Sequence, residues 1–209
     1  MTKVKICGIT NLQDALLSVK AGADALGFNF YPKSPRFILP EKTRKIVEWL
    51  PWGVLKVGVF VNESFDRVVE TAQIAGVNAI QLHGDESPGF GKELKIKTGM
   101  EIIKAFRVKS DFRPEDVLKY DVDAILLDAY SPKDRGGTGE TFNWEIATEI
   151  KARFPRMYLA GGLSPENVSE AINKVGPYAV DACSCLESSP GKKDPDKVAR
   201  FIEAAKTSI

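Results

Sequence analysis

The sequence predicts a (β/α)8 barrel, a single α/β domain spanning residues 1–209. Three observations lead there. Short apolar runs rich in β-branched residues recur along the whole chain, and stretches with helical spacing lie between them. The 209 residues divide among eight such units at about 26 each, enough for a strand, a helix and two loops with nothing left over. Consecutive βα units imply parallel strands, covered by helices and connected right-handedly. Closing that sheet into a barrel removes its edges. The alternative is an open doubly wound sheet, but no G-x-G-x-x-G follows the first strand to support a dinucleotide crevice.

The elements follow in order. Residues 4–7 read as the first strand, and Asn11 opens a helix whose apolar face is Leu12, Ala15, Leu16 and Val19, closed by Gly22. Residues 25–28 are the second strand and 55–60 the third. Ser64 precedes the third helix, which repeats Val68, Val69, Ala72, Ile74 and Ala75 and stops at Gly76. Residues 79–82, 102–106 and 124–127 supply strands four to six. Residues 157–160 are the seventh, followed by Ser164-Pro165-Glu166 as a helix start and Gly176 as its stop. Residues 178–180 are the eighth, and Asp194-Pro195 opens the last helix.

Composition bounds the function. With 44% apolar and 27% charged residues the chain is neither disordered nor collagenous. Lys plus Arg number 29 against 28 Asp plus Glu, so no global field draws the chain to nucleic acid or an anionic membrane, and neither is an expected partner. An anionic ligand must therefore be bound locally. No apolar run reaches the roughly 18 residues of a spanning helix, and the amino terminus lacks the apolar core of a signal peptide, so a cytoplasmic location is expected. Cys7, Cys183 and Cys185 are an odd number in a chain able to bury a full core, which predicts free thiols.

In such a barrel chemistry gathers at the carboxyl ends of the strands. Strand one ends in Cys7-Gly8-Ile9-Thr10, strand two runs into a proline-stiffened loop carrying Arg36, and strand four ends in Gln81-Leu82-His83-Gly84-Asp85. Strand five gives Arg107, strand six Asp128 and then Gly136-Gly137-Thr138-Gly139, strand seven Gly161-Gly162, and strand eight Asp181, Cys183, Ser184 and Cys185. The glycines after strand seven let backbone N–H groups approach a phosphate at a helix start; they would equally permit a tight turn and nothing more. Arg36 has the planar fork that suits a carboxylate, or is a solvated surface residue. His83, the only histidine, reads as an orienting group rather than a base, and C-x-C with one distant histidine does not match zinc spacing, so no metal is expected. Cys7 and Asp128, on strands one and six, stand across the mouth from each other: a thiolate to take a proton from carbon, an acid to give one to oxygen. Otherwise Cys7 is a small buried residue and Asp128 a loop cap.

Taken together, Lys5-Ile6-Cys7-Gly8-Ile9-Thr10, the run from Gly27 through Tyr31-Pro32-Lys33-Ser34-Pro35-Arg36, Gln81-Leu82-His83-Gly84-Asp85, Leu127-Asp128 with the glycine loop, and Ala160-Gly161-Gly162-Leu163 resemble the phosphoribosylanthranilate isomerases of tryptophan biosynthesis. That resemblance implies a phosphate-binding TIM barrel that performs an Amadori rearrangement of a phosphosugar without a cofactor. It implies Asp128 as the general acid, Cys7 as the general base, and Arg36 on the anthranilate carboxylate. Gly137, Gly139, Gly161, Gly162, Ser184 and Cys185 would hold the phosphate, with Lys5, Gln81, His83 and Asp181 in support. The assembly expected is a monomer or homodimer. The sequence departs from the family pattern where Cys183 and Cys185 replace a serine and a glycine, and where Asn143 stands for the usual Asp. If the glycine position needs a left-handed backbone, Cys185 is strained. The pair Cys183 and Cys185 is also expected to make the site sensitive to oxidation. Rival readings are a phosphosugar barrel without turnover, and an indole-glycerol-phosphate synthase, for which a lysine acid at a strand end and a longer amino terminus are missing.

Overall fold

The computed structural model describes residues 1–108, 112–129 and 144–208. Eight parallel strands close into a barrel in sequence order, each followed by a helix. The units run β1 Lys3–Ile6 and α1 Leu12–Ala21; β2 Ala25–Asn29 and α2 Pro40–Val47; β3 Leu55–Phe60 and α3 Phe65–Ala75; β4 Ala79–Leu82 and α4 Pro88–Thr98. They continue with β5 Glu101–Val108 and α5 Pro114–Val117; β6 Ala124–Ala129 and α6 Trp144–Arg153; β7 Met157–Ala160 and α7 Val168–Val175; β8 Ala179–Ala182. Between β8 and the last helix, α8 Pro195–Thr207, come a 3-10 turn at Ser184–Leu186 and a small antiparallel hairpin, β9 Glu187–Ser189 with β10 Lys192–Lys193.

Local chemistry explains most helix boundaries. Asn11 Oδ1 accepts the Asp14 N–H at 2.8 Å, and Asp194 accepts those of Asp196 and Lys197, so three groups that helix α1 or α8 would leave unpaired are satisfied. Gly22, Gly76 and Gly176 close their helices in the left-handed region, where a Cβ would clash with its own carbonyl. Two expected starts differ. Ser64 precedes α3 without a side-chain cap bond, and α7 begins only at Val168, because Asn167 accepts the Ser164 N–H and turns Ser164-Pro165-Glu166 into a separate loop.

The strand pleat then sorts side chains into two layers. Val4, Ile6, Leu26, Phe28, Ile80, Leu82, Ile125 and Leu127 face outward under the helices, in one core with Phe201 and Ile202 of α8, each worth about 2–3 kcal/mol when buried. Ala25, Val57, Ala79, Ile103, Ala105, Ala124, Leu126, Tyr158 and Ala179 fill the lumen. Many are alanine because eight inward rows leave room for little more. The same parity places Lys5 and Asp181 inside, in register with each other, and continues two residues further to Cys7, His83, Asp128 and Cys183 at the carboxyl mouth.

Candidate active site

The barrel brings Cys7, Arg36, Gln81, His83, Asp128 and Asp181 to one end, as their places on the strands predict. At the floor of the mouth the Lys5 ammonium, fully buried, contacts the Asp181 carboxylate at 2.9 Å. Burial works against the charge on Lys5, but Asp181 and the Cys7 sulfur more than offset it and hold the ammonium protonated. Burial pushes the Asp181 carboxyl the other way, up to about 7, against the pull of Lys5.

Cys7 lies directly after β1 and is partly exposed. Its thiol is held well below the ordinary value: hydrogen bonding from the Cys183 thiol comes first, and the charges of Lys5 and Lys193 add to it and outweigh its burial. Cys183 is driven upward for the same reason, because it keeps its proton as the donor to the Cys7 thiolate. The backbone leaves space for that sulfur. A Cβ built on Gly27 would stand 2.6 Å from Cys7 Sγ, so only glycine lets β2 pass so close. Cys7 alkylation by iodoacetamide is therefore expected to reach its plateau rate at a lower pH than an ordinary thiol does. Lys5→Met should move the inflection upward in pH through loss of a neighbouring cation; an unmoved inflection would show that Lys5 does not act on the thiol.

Across the mouth, Gln81 is almost fully buried and its Nε2 donates to His83 Nδ1 at 2.9 Å. That fixes the hydrogen on Nε2, which faces Asp128 Oδ2 at 3.3 Å. The only histidine thus meets the carboxyl of Asp128. Asp128 itself is one-third exposed at the end of β6, open to a ligand in the mouth.

Arg36 is neither free nor merely solvated. Its Nε and Nη2 meet the two oxygens of Glu187 at 2.9 and 2.7 Å, and the same carboxylate accepts from Lys193 Nζ at 3.1 Å. This triad was not read from the sequence: Lys193 sits in Gly191-Lys192-Lys193-Asp194, which has the look of an exposed turn, yet its side chain is fully buried. Lys193 Nζ also reaches the Cys183 carbonyl at 3.1 Å, tying the β9–β10 hairpin to the site. Glu187→Gln leaves two cations around a neutral amide and is expected to cost about 3–5 kcal/mol of unfolding free energy in urea titration. A loss below about 1 kcal/mol would show that solvent screens the group.

The neighbouring loops after β7 and β8 offer backbone donors. Gly161 and Gly162 both have positive φ, and among the described residues the N–H groups of Gly162, Leu163, Ser184 and Cys185 have no hydrogen-bond partner. Cys185 carries no strain, since Asn62 is the one non-glycine residue with positive φ among those described; the 3-10 turn accepts a side chain where the family usually has glycine. Gly137, Gly139 and Asn143 lie outside the described residues. All three cysteines are free thiols, and the neighbour that bears on the Cys183 thiol is Cys7.

Residues 4–204 match the model of the N-(5'phosphoribosyl)anthranilate (PRA) isomerase family. The N-(5'-phosphoribosyl)anthranilate isomerase of Trichlorobacter lovleyi is 50% identical over 209 residues, all of both chains. The crystal structure of phosphoribosyl anthranilate isomerase from Thermotoga maritima superposes with a TM-score of 0.91 at 47% identity over 99% of each chain. A phosphoribosyl anthranilate isomerase in complex with reduced 1-(o-carboxyphenylamino)-1-deoxyribulose 5-phosphate does so at 0.88 and 45%, again over 99% of each. With its closed barrel and the polar residues gathered at one mouth, the chain belongs to the N-(5'-phosphoribosyl)anthranilate isomerase family.

Proposed function

We propose that Cys7 and Asp128 are the base and the acid of the isomerisation that gives the family its name. The enzyme rearranges N-(5-phosphoribosyl)anthranilate, an aminoaldose, into 1-(2-carboxyphenylamino)-1-deoxyribulose 5-phosphate, an aminoketose, in tryptophan biosynthesis. The observation that carries the assignment of roles is the environment of Cys7: a thiol hydrogen-bonded by Cys183 and flanked by Lys5, at the same mouth as an acid oriented by His83.

Asp128 donates its proton to the ribose ring oxygen, the C1–O bond breaks, and the nitrogen lone pair completes a Schiff base. With Oδ2 engaged by His83, Oδ1 is the oxygen left to carry that proton. The Cys7 thiolate then removes the proton from C2, and the electrons of the C–H bond flow into the iminium to give the enolamine, which tautomerises to the ketone. Both protonation states are reversed at the end and reset through solvent.

Arg36 holds the anthranilate carboxylate. Glu187 occupies the Nε–Nη2 edge of its fork, so the remaining edge, Nη1 with the second hydrogen of Nη2, serves the substrate. Glu187 thereby sets the angle at which the guanidinium faces the mouth. The unpaired N–H groups after β7 and β8 take the phosphate, with the glycines after β6. No described helix is long and apolar enough to cross a membrane. The substrate carries a phosphate and a carboxylate and does not pass a bilayer unaided, which supports work in the cytoplasm.

The test is a fluorescence assay in which the substrate is generated from anthranilate and phosphoribosyl pyrophosphate by a separate transferase and its disappearance is followed. Loss far above the uncatalysed background is expected. Background loss from folded protein that still binds the reduced product analogue would favour a binding barrel without turnover.

A further inference from the structure

We propose that Cys7 and Cys183 form a dithiol oxidation site, at which a hydroperoxide converts the two thiols to a disulfide and stops turnover. The inference rests on the assignment of Cys7 as the base for its effect on activity, and not for the bond itself. Cys7 and Cys183 each follow directly on a register pair, Ile6 and Ala182, of adjacent parallel strands, and Cys7 N donates to Ala182 O at 2.9 Å. Neighbouring strands lie about 4.8 Å apart, within the span of roughly 4.4–6.8 Å that a disulfide bridges between Cα atoms. The side chains converge as well. Each thiol acts on the ionisation of the other, and a Cβ on Gly8, the residue after Cys7, would lie 2.7 Å from Cys183 Sγ.

Both cysteines are partly exposed at the mouth, where a small peroxide has access as a substrate does. The surrounding Lys5, Lys193 and Arg36 favour the thiolate that attacks. Cys7 sulfur attacks one oxygen, the O–O bond breaks, and hydroxide or alkoxide departs to leave a sulfenic acid on Cys7. The Cys183 sulfur then displaces the hydroxyl from Cys7, the S–S bond forms, and water leaves with the Cys183 proton. Two thiols lose two electrons; the hydroperoxide is reduced to an alcohol, or to water, and one water. Cys185 takes no part, since its place on the 3-10 turn leaves it outside the register pair.

The full-length protein is treated with hydrogen peroxide at a small molar excess, and its thiols, peptide masses under non-reducing conditions, and turnover are followed together. The expected result is loss of two of the three thiols, a cross-linked peptide joining Cys7 to Cys183, activity lost in proportion to that bond, and recovery with dithiothreitol. Bound product analogue should protect. In Cys183→Ser, measured against its own untreated activity, inactivation should no longer be reversed, because the sulfenic acid lacks a resolving thiol and proceeds to sulfinic acid. Cys185→Ser, measured against its own untreated activity, should lose and regain turnover as the parent protein does. A bond between Cys183 and Cys185, no bond at all, or equal recovery in Cys183→Ser overturns the proposal. A complete Cys7–Cys183 bond with turnover retained overturns the shut-off and, separately, the assignment of Cys7 as base.

Discussion

Cys7→Ser is expected to lower kcat by about 10²- to 10⁴-fold while leaving the unfolding midpoint and the affinity for the product analogue close to those of the parent. The substitution exchanges sulfur for oxygen with little change of volume, but a hydroxyl stays protonated where the thiol is already ionised by Cys183, Lys5 and Lys193. The loss should therefore persist across the neutral pH range rather than shrink as pH rises. A parental rate in the folded variant would show that C2 deprotonation belongs to another group, of which Asp181, with its carboxyl pushed up to about 7 beneath the same site, is the first to test.

Asp128→Asn is expected to fall by a similar factor, for a different reason. The amide keeps the shape of the carboxyl, and its oxygen can still accept from His83 Nε2, so the side chain remains in place. What it lacks is a proton to give to the ring oxygen. The affinity for the product analogue, which has no ring to open, should change little, and the deficit should fall on kcat and kcat/KM together. If KM rises while kcat is kept, Asp128 is a binding group and the acid must be sought elsewhere.

Several elements were legible because their physics is local. Residues 55–60, 79–82 and 157–160 are strands with the bounds expected, since a parallel strand covered on both faces is written as a near-continuous apolar run, broken here only by Lys56 and Gln81. Gly22, Gly76 and Gly176 stop helices where expected, since the left-handed turn is a property of one residue. Other boundaries depend on partners. Strand β5 starts a residue earlier and ends two later than its apolar run, at Glu101, which is paired with Arg156 from the neighbouring loop, and at Val108. The β9–β10 hairpin went unread because Glu187–Ser189 and Lys192–Lys193 are polar and become ordered only against Arg36, Asp14 and the mouth of the barrel.

The functional residues divide the same way. Cys7, Arg36, His83, Asp128 and Asp181 could be named from their positions at strand ends, because a barrel presents that end of every strand to one cleft. Their relations could not. The carboxylate that answers Arg36 is Glu187, 151 positions away, and the one beneath Cys7 is paired with Lys5 across 176 positions. Lys193, which the sequence did not single out, is a buried counter-ion, and the Cys183 thiol bears on Cys7. Strand order, helix stops and the inventory of chemical groups follow from short-range periodicity and backbone preference, which act over a few residues. Which groups pair, and which proton each one keeps, follows from closing β1 against β8, since only that contact brings distant charges into a common low-dielectric site where an unpaired charge would be costly.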